Sequence, residues 1–423
     1  MNDHSLAHEL SRRLEIGLPS AASEALHTLE DICRRASISL YLVGGAVRDL
    51  LLEREGFDLD LCMEPDVGPV ARQLAEATQG RVVLHDRFGT AKVTGRGFVI
   101  DLARTRRESY PHPGSLPVVE PSTIGEDLAR RDFTINAVAL RLTPEPVELL
   151  DPFRGVDDAR SSLVRVLHER SFQDDATRML RAVRYASRLD FKIARQTEAL
   201  ARRDLPYLQH ISGPRLRREL ALLFQEPNAA EGTLLAQRLG ILDAIHPALR
   251  LSDASAERWR TALDGERLAP LDELGFGVVA APSDEGTVAS LSKWLHLAGR
   301  FERCLVDLVR LRVASPKLAM ARPSMAVEIL DGHAPSAVWS LAVIEGGDIA
   351  RTCLNYLRDW RHVKPALDGN DLQAMGVPRG QVLGEVLRRL RAARVDGLLT
   401  SRDQEEEMAR EAINDLSARA RDE

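Results

Sequence analysis

Two carboxylates, Asp58 and Asp60, lie two residues apart in the segment FDLDLC at residues 57–62. The alternation of apolar and acidic residues predicts a short strand, and residues two apart on a strand project from the same face. Carboxylates on one face repel each other unless a cation lies between them. A few hard oxygen ligands, with room for water and phosphate oxygens, suit Mg²⁺. Taken alone, the tripeptide is also typical of an edge strand that exposes two acids.

A glycine pair upstream favours the metal interpretation. Gly44 and Gly45 separate an apolar segment, SLYLV at 39–43, from AVRDLLLE, which has a helical pattern. Glycines allow backbone N–H groups to approach a phosphate, and a helix N-terminus carries partial positive charge. Arg48, in the first helical turn, would reach the same phosphates. A Gly-Gly pair alone is an ordinary turn signal, but together with the downstream carboxylates it indicates a site for a triphosphate and a metal.

A second set of polar residues follows further along the chain, where Asp175 and Arg178 are succeeded by Arg181 and Arg184 at three-residue steps. This spacing predicts one shared helix face. An aspartate accepts a hydrogen bond from an exocyclic amine and an arginine donates to a ring nitrogen or carbonyl, so the pair fits the edges of C and A. G and U present the reverse order and would leave buried groups unpaired. The alternative interpretation is an i,i+3 salt bridge on a solvated helix.

The elements that must position these residues form an α/β pattern up to about residue 150. Besides the two segments above, the predicted strands are RVVLHD at 81–86, TAKVTG at 90–95 and GFVIDLA at 97–103. Segment 104–126 is rich in Pro, Ser and Gly and is predicted to be a long loop. The next residues, 126–142, are predicted to begin as a helix that runs into an apolar segment. Beyond about residue 160 the periodicity is almost entirely helical, with a predicted joint at 262–288.

Composition limits the classes of protein that fit. The chain has 423 residues, 44% hydrophobic and 28% charged, which predicts two to four domains with ample apolar cores. The net charge of −6 by itself disfavours a nucleic-acid-binding protein, but only five of the 57 Lys and Arg residues are lysines, and arginines cluster between 178 and 218. Four dispersed cysteines lack metal-ligand spacing. The chain has no run of 18 apolar residues and a polar, acidic start, so we expect a cytoplasmic protein without a membrane span.

The motifs around these residues resemble those of class II tRNA nucleotidyltransferases and bacterial poly(A) polymerases, which belong to the polymerase-beta-like nucleotidyltransferase superfamily. LVGGAVRDLLL followed by DLDL resembles the family's signature, and RRDFTINAVAL at 130–140 resembles its second motif. Further resemblances are LLDPFRGVDDARSSLVRVL at 149–167, FQDDATRMLRAVRYASRLDFKI at 172–193, ISGPRLRRELALLF at 211–224 and GNDLQAMGVPRGQVLGEVL at 369–387. The motifs occur in the family's order and are distributed over most of the chain.

The resemblance implies a role for each matching residue. Asp58 and Asp60 would hold the catalytic Mg²⁺, with two ions expected. The triphosphate of the nucleotide would be bound by Gly44, Gly45, Arg48 and Arg131, and its ribose hydroxyls by Asp132. Asp175 and Arg178 would bind the Watson–Crick edge of ATP or CTP. Arg181 and Arg184 would face further phosphates.

Two positions leave alternatives open. The family's base-reading motif usually begins with Glu-Asp, whereas this chain has Asp174-Asp175. Asp174 is one methylene shorter than glutamate, and the resulting change in geometry leaves the preferred nucleotide open. Asp101 is either a third catalytic carboxylate, as the superfamily often has on a neighbouring strand, or a structural acid paired with Arg104 or Arg107. We therefore leave Asp101 out of the predicted metal ligands.

The resemblance also implies an α+β fold, with an N-terminal polymerase-beta-like nucleotidyltransferase head, made of a mixed sheet with helices, followed by all-helical domains. We expect the catalytic head at 1–150, a neck with the base-reading helix at 151–228, a body at 229–317 and a tRNA-binding tail at 318–423. Loop 104–126 occupies the place of the family's flexible loop, which is linked to the switch from adding C to adding A.

The implied activity is template-independent CCA addition, in which C and A from CTP and ATP are added to the 3′ end of tRNA and pyrophosphate is released. The alternatives are an enzyme that adds only A, to tRNA or as a poly(A) polymerase, and a non-catalytic RNA-binding relative. The expected partner is tRNA, bound at its acceptor and TΨC arm with help from tail arginines such as Arg388, Arg389 and Arg391. No membrane partner is expected, and the sequence assigns no oligomeric state.

Overall fold

The chain divides into two compact units. The computed structural model describes residues 3–56, 58–85, 89–281 and 284–422, with side chains up to Ile413, so that Phe57 and Asp86 of two predicted strands lie outside the described residues. The first unit comprises Met1–Ser212 with Leu239–Ala244, and the second comprises Gly213–Arg238 with Ile245–Glu423. The predicted α+β architecture, a mixed N-terminal sheet with helices followed by a mostly helical part, is confirmed. The division into four domains stays a prediction.

A seven-stranded sheet forms the centre of the first unit, in the order β3-β4-β5-β2-β1-β8-β9. Its strands are β1 (Leu40–Val43), β2 (Leu59–Met63), β3 (Arg81–His85), β4 (Thr90–Gly95), β5 (Phe98–Arg104), β8 (Ala139–Thr143) and β9 (Glu148–Leu150). Separate two-stranded pairs are formed by β6 (Arg106–Ser109) with β7 (Val118–Pro121), and by β10 (Leu163–Val164) with β11 (Lys192–Ile193). Strands β2 and β5 run parallel, while all other neighbours in the large sheet are antiparallel.

The helices of the first unit cover the sheet unequally. They are α1 (Asp3–Gly17), α2 (Ser20–Arg35), α3 (Gly45–Leu51), α4 (Val67–Ala77), α5 (Ile124–Ala129), α6 (Gly155–Arg160), α7 (Ser171–Asp174), α8 (Arg178–Leu189) and α9 (Arg195–Asp204). One face of the sheet packs on α1 to α4 through a large apolar core that includes Leu42 and Leu61. On the other face, Tyr41 and Cys62 pack with Leu128 of α5. The part of that face on β3 to β5 stays open, with exposed side chains on alternate residues.

The predictions for the segment between β5 and β9 are correct in part. The helix predicted at the start of 126–142 is α5, which ends at Ala129, and a single 3₁₀ turn follows at Thr134–Asn136. The apolar segment, whose structure the sequence left open, forms the buried strand β8. A short apolar run is compatible with a buried strand as well as with a helix, and here strand pairing with β1 decides. The predicted loop 104–126 contains the ribbon of β6 and β7.

The second unit is built from helices. They are α10 (Gly213–Phe224), α11 (Ala229–Arg238), α13 (Asp253–Leu263), α14 (Leu271–Ala280), α15 (Glu285–Leu295), α16 (Arg300–Leu318), α17 (Pro323–Leu330), α18 (Pro335–Glu345), α19 (Gly347–Arg358), α20 (Gly369–Ala374), α21 (Gln381–Val395) and α22 (Arg402–Asp422). Helix α12 (Ile241–Ile245) belongs to the first unit up to Ala244. None of the described helices is long and apolar enough to cross a lipid bilayer. All four cysteines of the chain are buried and form no disulfide.

The predicted joint at 262–288 is wrong, because α14 within it is buried along its whole length. Its glycines are packing positions rather than flexible ones. A Cβ atom on Gly275 would overlap the buried ring of Phe224, and one on Gly277 would overlap Ser340. Glycine at these positions therefore allows neighbouring side chains to lie directly against the helix backbone.

We expect Gly275→Ala to destabilise the protein by about 1–3 kcal/mol, because the added methyl group forces Phe224 out of its packed position. Gly384→Ala is the matched control, since Gly384 also lies inside a helix but has no atom within 4 Å of its Cβ position. Alanine there should be neutral or stabilise by up to about 1 kcal/mol. Urea denaturation followed by circular dichroism measures both variants, and equal midpoints would contradict the packing role.

Candidate active site

The open face of the sheet carries a row of side chains in register. Asp60 on β2 pairs with Asp101 on β5, Asp101 pairs with Lys92 on β4, and Lys92 pairs with Val83 on β3. Directly paired residues project from the same face at Cβ distances of about 5 Å. Asp58 lies immediately before β2, and its carbonyl accepts a hydrogen bond from the Asp60 amide at 3.1 Å. The acidic motif found in the sequence is thus one end of a longer charged row.

The charges of this row act strongly on one another. Partial burial raises the pKa of Asp60, and the neighbouring carboxylates of Asp101 and Asp58 raise it further, while Arg131 and Lys92 oppose the shift. The Lys92 ammonium donates a hydrogen bond to Asp101 Oδ2 at 2.7 Å. That hydrogen bond, more than any other contact, raises the pKa of Lys92. The row therefore holds excess negative charge that a bound cation would stabilise.

Asp101 pairs with neither Arg104 nor Arg107, the two partners that the sequence suggested. Arg104 donates its Nε to the Glu64 carbonyl at 3.0 Å, and Arg107 donates its Nε to Glu120 at 2.8 Å. Pairing of Asp101 with one of these arginines is therefore wrong, and Lys92 is the partner. Among the described residues, no three His, Cys, Asp or Glu side chains are grouped closely enough to hold a metal ion. Asp58 and Asp60 nevertheless supply the hard carboxylate donors that suit Mg²⁺.

The turn after β1 requires glycine at one position. Gly44 has φ of +68°, a conformation that residues with a Cβ rarely adopt. A Cβ atom there would also lie 2.6 Å from Nη1 of Arg131. The missing side chain thus lets the Arg131 guanidinium lie against the turn. Gly45 begins α3, and a Cβ atom on it would meet Arg48 only at 3.5 Å.

A buried carboxylate fixes two arginines beside the turn. Asp127 on α5 is 2% exposed and accepts hydrogen bonds from Arg131 at 2.9 Å and from Arg130 at 2.8 Å. Burial alone would raise the pKa of Asp127, but Arg131 and Arg130 hold the pKa below its ordinary value. Sequence reasoning missed Asp127 and Arg130. Their signal is spacing, because an aspartate three and four residues before two arginines is able to bind both on a helical turn.

These residues surround one cavity of about 360 Å³. Its lining comprises Val43, Gly44, Gly45, Asp60, Leu61, Cys62, His85, Thr90, Ala91, Lys92, Asp101, Leu102, Ala103, Asp127, Arg130 and Arg131. Of the residues predicted from the sequence, Gly44, Gly45, Asp60 and Arg131 thus share one cavity. The other predicted residues lie outside this lining.

Arg48 and Asp132 both lie in buried hydrogen-bond networks. Arg48 is 4% exposed, donates to Asn136 at 2.7 Å and forms an ion pair with Asp49 at 2.9 Å. Asp132 accepts from the Asn136 side chain at 3.0 Å and from Arg181 Nε at 2.9 Å. Burial opposes ionisation of Asp132, yet Arg181, Asn136 and Arg178 lower its pKa. Arg48 thus connects α3 to the 3₁₀ turn, and Asp132 connects that turn to α8. The expected contacts of both residues with phosphate and ribose stay predictions.

The sequence predicted one helix face that carries Asp175 and three arginines up to Arg184. This prediction is wrong for Asp175, which lies outside the helix. Asp175 precedes α8 in an extended conformation, and its Oδ1 accepts hydrogen bonds from the amide and hydroxyl of Thr177 at 3.0 and 2.7 Å. Arg178 begins α8 and donates from Nη2 to the Arg130 carbonyl at 2.9 Å. Its Nη1 is buried and has no hydrogen-bond partner among the described residues. A buried, unsatisfied donor is costly unless a ligand completes it.

The ribbon of β6 and β7 is connected to the same arginines. Glu108 on β6 accepts hydrogen bonds from the Tyr110 hydroxyl at 2.9 Å and from Arg130 Nη1 at 3.0 Å. Burial raises the pKa of Tyr110 to about 12, although the nearby Arg178 acts against the shift. The conformation of the ribbon is therefore coupled, through Glu108 and Arg130, to the arginine pair that lines the cavity.

Two family models match the chain. The Poly A polymerase head domain matches residues 40–165, and the probable RNA and SrmB-binding site of polymerase A matches residues 190–258. The first match contains the glycine turn, the strand carboxylates and the segment with Asp127, Arg130 and Arg131.

Curated relatives match over almost the whole chain. The CC-adding tRNA nucleotidyltransferase of Deinococcus radiodurans is 33% identical, and the match covers 89% of this chain and 91% of the relative. The A-adding tRNA nucleotidyltransferase of Halalkalibacterium halodurans is 29% identical over 92% of each protein. The A-adding tRNA nucleotidyltransferase of Geobacter sulfurreducens is 32% identical over 93% of this chain, but this chain spans only 47% of that relative's length.

Solved structures show the same similarity. A CCA-adding enzyme in an apo form superposes with a TM-score of 0.82 at 27% identity, covering 97% of this chain and 98% of that one. The Thermotoga maritima CCA-adding enzyme complexed with tRNA superposes with a TM-score of 0.77 at 27% identity, covering 96% and 98% of the two chains. Since the sequence matches and the fold agree, the chain belongs to the family of tRNA nucleotidyltransferases and bacterial poly(A) polymerases.

Proposed function

We propose that the chain completes the CCA end of tRNA, adding C and A from CTP and ATP to the RNA 3′ end and releasing pyrophosphate. The observation that carries this proposal is the shared cavity, which is lined by Asp60, the Gly44–Gly45 turn, Arg130 and Arg131. A cavity lined by both carboxylates and fixed arginines suits a triphosphate that carries a divalent metal. Nucleotidyl transfer needs little from the protein beyond positioning of the reactants and stabilisation of the charge that develops on the phosphates.

In this proposal Asp58 and Asp60 hold Mg²⁺, with two ions expected, and bound Mg²⁺ supplies activation of the attacking hydroxyl and stabilisation of the leaving pyrophosphate. Arg130 and Arg131, which line the same cavity, bind phosphate oxygens. Their geometry is set before substrate arrives, because Asp127 already fixes both guanidinium groups. Preorganised donors of this kind need no reorganisation during the reaction.

Arg178 is proposed to read the incoming base together with Asp175. The buried Nη1 of Arg178 supplies a hydrogen-bond donor, while its Nη2 is fixed on the Arg130 carbonyl. The chain segment that presents the phosphate-binding arginine therefore also positions the base-reading one. Solved structures similar to this chain include complexes of a CCA-adding enzyme with ATP and with CTP, which supports both nucleotides as substrates.

The RNA is proposed to be tRNA, bound at its acceptor and TΨC arm by the helical tail. Arg388 and Arg389 on α21 are 73% and 47% exposed in their side chains and pair only with Glu385 among the described residues. Such surface pairs are weak, so phosphates would displace them readily. Arg391, in contrast, is bound to Asp331 and to the Val363 carbonyl, which suits a structural role in holding α21.

A second candidate activity is the addition of A alone. It is favoured by the A-adding relatives from Halalkalibacterium and Geobacter. The two activities differ in how the enzyme treats tRNA that lacks all three terminal residues, since an A-adding enzyme needs the C residues to be present already.

The substrates are tested by incubating the protein with Mg²⁺ and labelled tRNA ending before CCA, after C or after CC. We expect CTP alone to add two C residues, CTP with ATP to complete CCA, and GTP or UTP to be rejected. Extension of only the CC-ending tRNA would establish the A-adding alternative instead. Equal extension of unrelated RNAs would contradict tRNA as the substrate.

We expect Asp58→Ala and Asp60→Ala each to lower the rate of every nucleotide addition by at least about 100-fold, because each removes a proposed metal ligand. Asp31→Ala is the matched control, since Asp31 is an exposed aspartate in α2 that pairs only with Arg34 among the described residues. Single-turnover extension of labelled tRNA measures the rates. Near-normal activity of either strand variant would exclude its assigned role.

We expect Arg178→Ala to relax the choice of nucleotide more than it weakens triphosphate binding, because the phosphate-binding arginines stay in place. The change in selectivity should be about tenfold or more, as for loss of a buried hydrogen bond to a charged group. The exposed Arg188 lies on the same helix, and Arg188→Ala serves as the control. The kcat/KM values for the four nucleotides decide: a uniform loss for all four would show that Arg178 does not discriminate bases.

A further inference from the structure

Lys92 has no role in the activity proposed above, yet it lies at the end of the charged row, directly beside Asp101. It is one of only five lysines in a chain whose 52 other basic residues are arginines. Its backbone position pairs with Asp101, and its Nζ lies 2.7 Å from Asp101 Oδ2. It lines the same cavity as Asp60, Asp101 and Arg131. A lysine at this point places a positive charge directly beside the carboxylates.

We propose that Lys92 is a built-in counter-ion of the carboxylate row, which competes with divalent cations and so sets the Mg²⁺ concentration that the protein requires. The inference rests on the proposed function, because it concerns the same metal site. The groups that face the Lys92 ammonium are Asp101 on β5, Asp60 on β2 and Asp58 just before it. Arg131 adds a second positive charge near Asp60. Each positive charge on this face lowers the attraction of the row for a cation.

The properties of lysine and the exposure of the pair suit a displaceable counter-ion. An ammonium group is a compact point charge on a flexible stem, whereas an arginine would hold a carboxylate in a fixed, bidentate geometry. The side chains of Lys92 and Asp101 are 49% and 40% exposed. Ion pairs with this exposure contribute little to stability, so a divalent cation is able to displace the ammonium at small cost. Displacement would also release the Asp101 carboxylate beside Asp60.

The test uses Mn²⁺ as the probe and measures its binding to the whole protein, without nucleotide, from the electron paramagnetic resonance signal of free Mn²⁺. Lys92→Met removes the charge but keeps an unbranched side chain, and should tighten Mn²⁺ binding by about threefold to tenfold. Lys92→Arg keeps the charge and can hold Asp101 in a fixed, bidentate geometry, so it should bind Mn²⁺ no more tightly than the original chain. Lys192→Met is the matched control, since Lys192 is an exposed strand lysine on β11.

Double variants locate the effect in the row. In an Asp101→Asn background, the gain from Lys92→Met should fall to less than about twofold, because the carboxylate that Lys92 neutralises is absent. The Mg²⁺ concentration for half-maximal nucleotide addition should fall in Lys92→Met by the same factor as the Mn²⁺ dissociation constant. The difference should shrink at high ionic strength, since the competition is electrostatic and partly exposed to solvent.

Failures of this inference and of the proposed function give different results. If Mn²⁺ binds to the original chain and Asp60→Asn abolishes that binding, the proposed metal site is supported. Unchanged or weaker Mn²⁺ binding by Lys92→Met would then overturn the counter-ion role alone. A higher KM for CTP or ATP in Lys92→Met, with unchanged Mn²⁺ binding, would overturn it in favour of a direct phosphate contact. Absence of Asp60-dependent Mn²⁺ binding in the original chain would overturn both.

Discussion

Repulsion among carboxylates on one sheet face is the constraint around which the first unit is organised. The parallel pairing of β2 with β5 places Asp60 directly beside Asp101, and the charge of Asp58 acts on Asp60 as well. Asp58, Asp60 and Lys92 are exposed among the described residues, so ions can reach them. The positive charges of Lys92 and Arg131 oppose the repulsion. A site of this kind is stable only with cations nearby, which is also what binding of a metal-bound triphosphate requires.

The arginines around the cavity are held in place by buried carboxylates. Asp127 and Asp132 are each less than a tenth exposed, and each is kept ionised by arginines. Asp127 fixes Arg130 and Arg131 next to the glycine turn, while Asp132 binds Arg181 on α8. Removing one partner of such a buried pair leaves an uncompensated charge, which costs several kcal/mol. Because the two aspartates lie five residues apart, one short segment joins the sheet to α8.

The sequence allowed the strand around Asp60 and the glycine turn after β1 to be predicted, because both depend on local rules. Alternating apolar and acidic residues indicate a strand, and the turn has φ of +68° at Gly44. Since β2 begins at Leu59, the shared strand face of Asp58 and Asp60 stays a prediction. Strand β8 was not predicted, since its apolar residues are compatible with either element and its pairing with β1 is a long-range interaction. The partner of Asp101 was not predictable for the same reason, because strand register, not sequence distance, brings Lys92 beside it. Local pattern likewise gave no sign that Gly275 lies against Phe224.

The groups proposed to read the base and to bind phosphate are connected by hydrogen bonds in this chain. Arg178 is fixed through the carbonyl of Arg130, whose own side chain is bound to Asp127 and to Glu108 of the β6–β7 ribbon. A shift of the ribbon would therefore move the Arg130 guanidinium, and through its backbone the buried Nη1 of Arg178. A displacement of about 1 Å is enough to weaken a hydrogen bond to a base edge. Under the proposed function, the choice of nucleotide depends on the position of the Arg130 backbone, so a substitution in the ribbon would change selectivity without contacting the base.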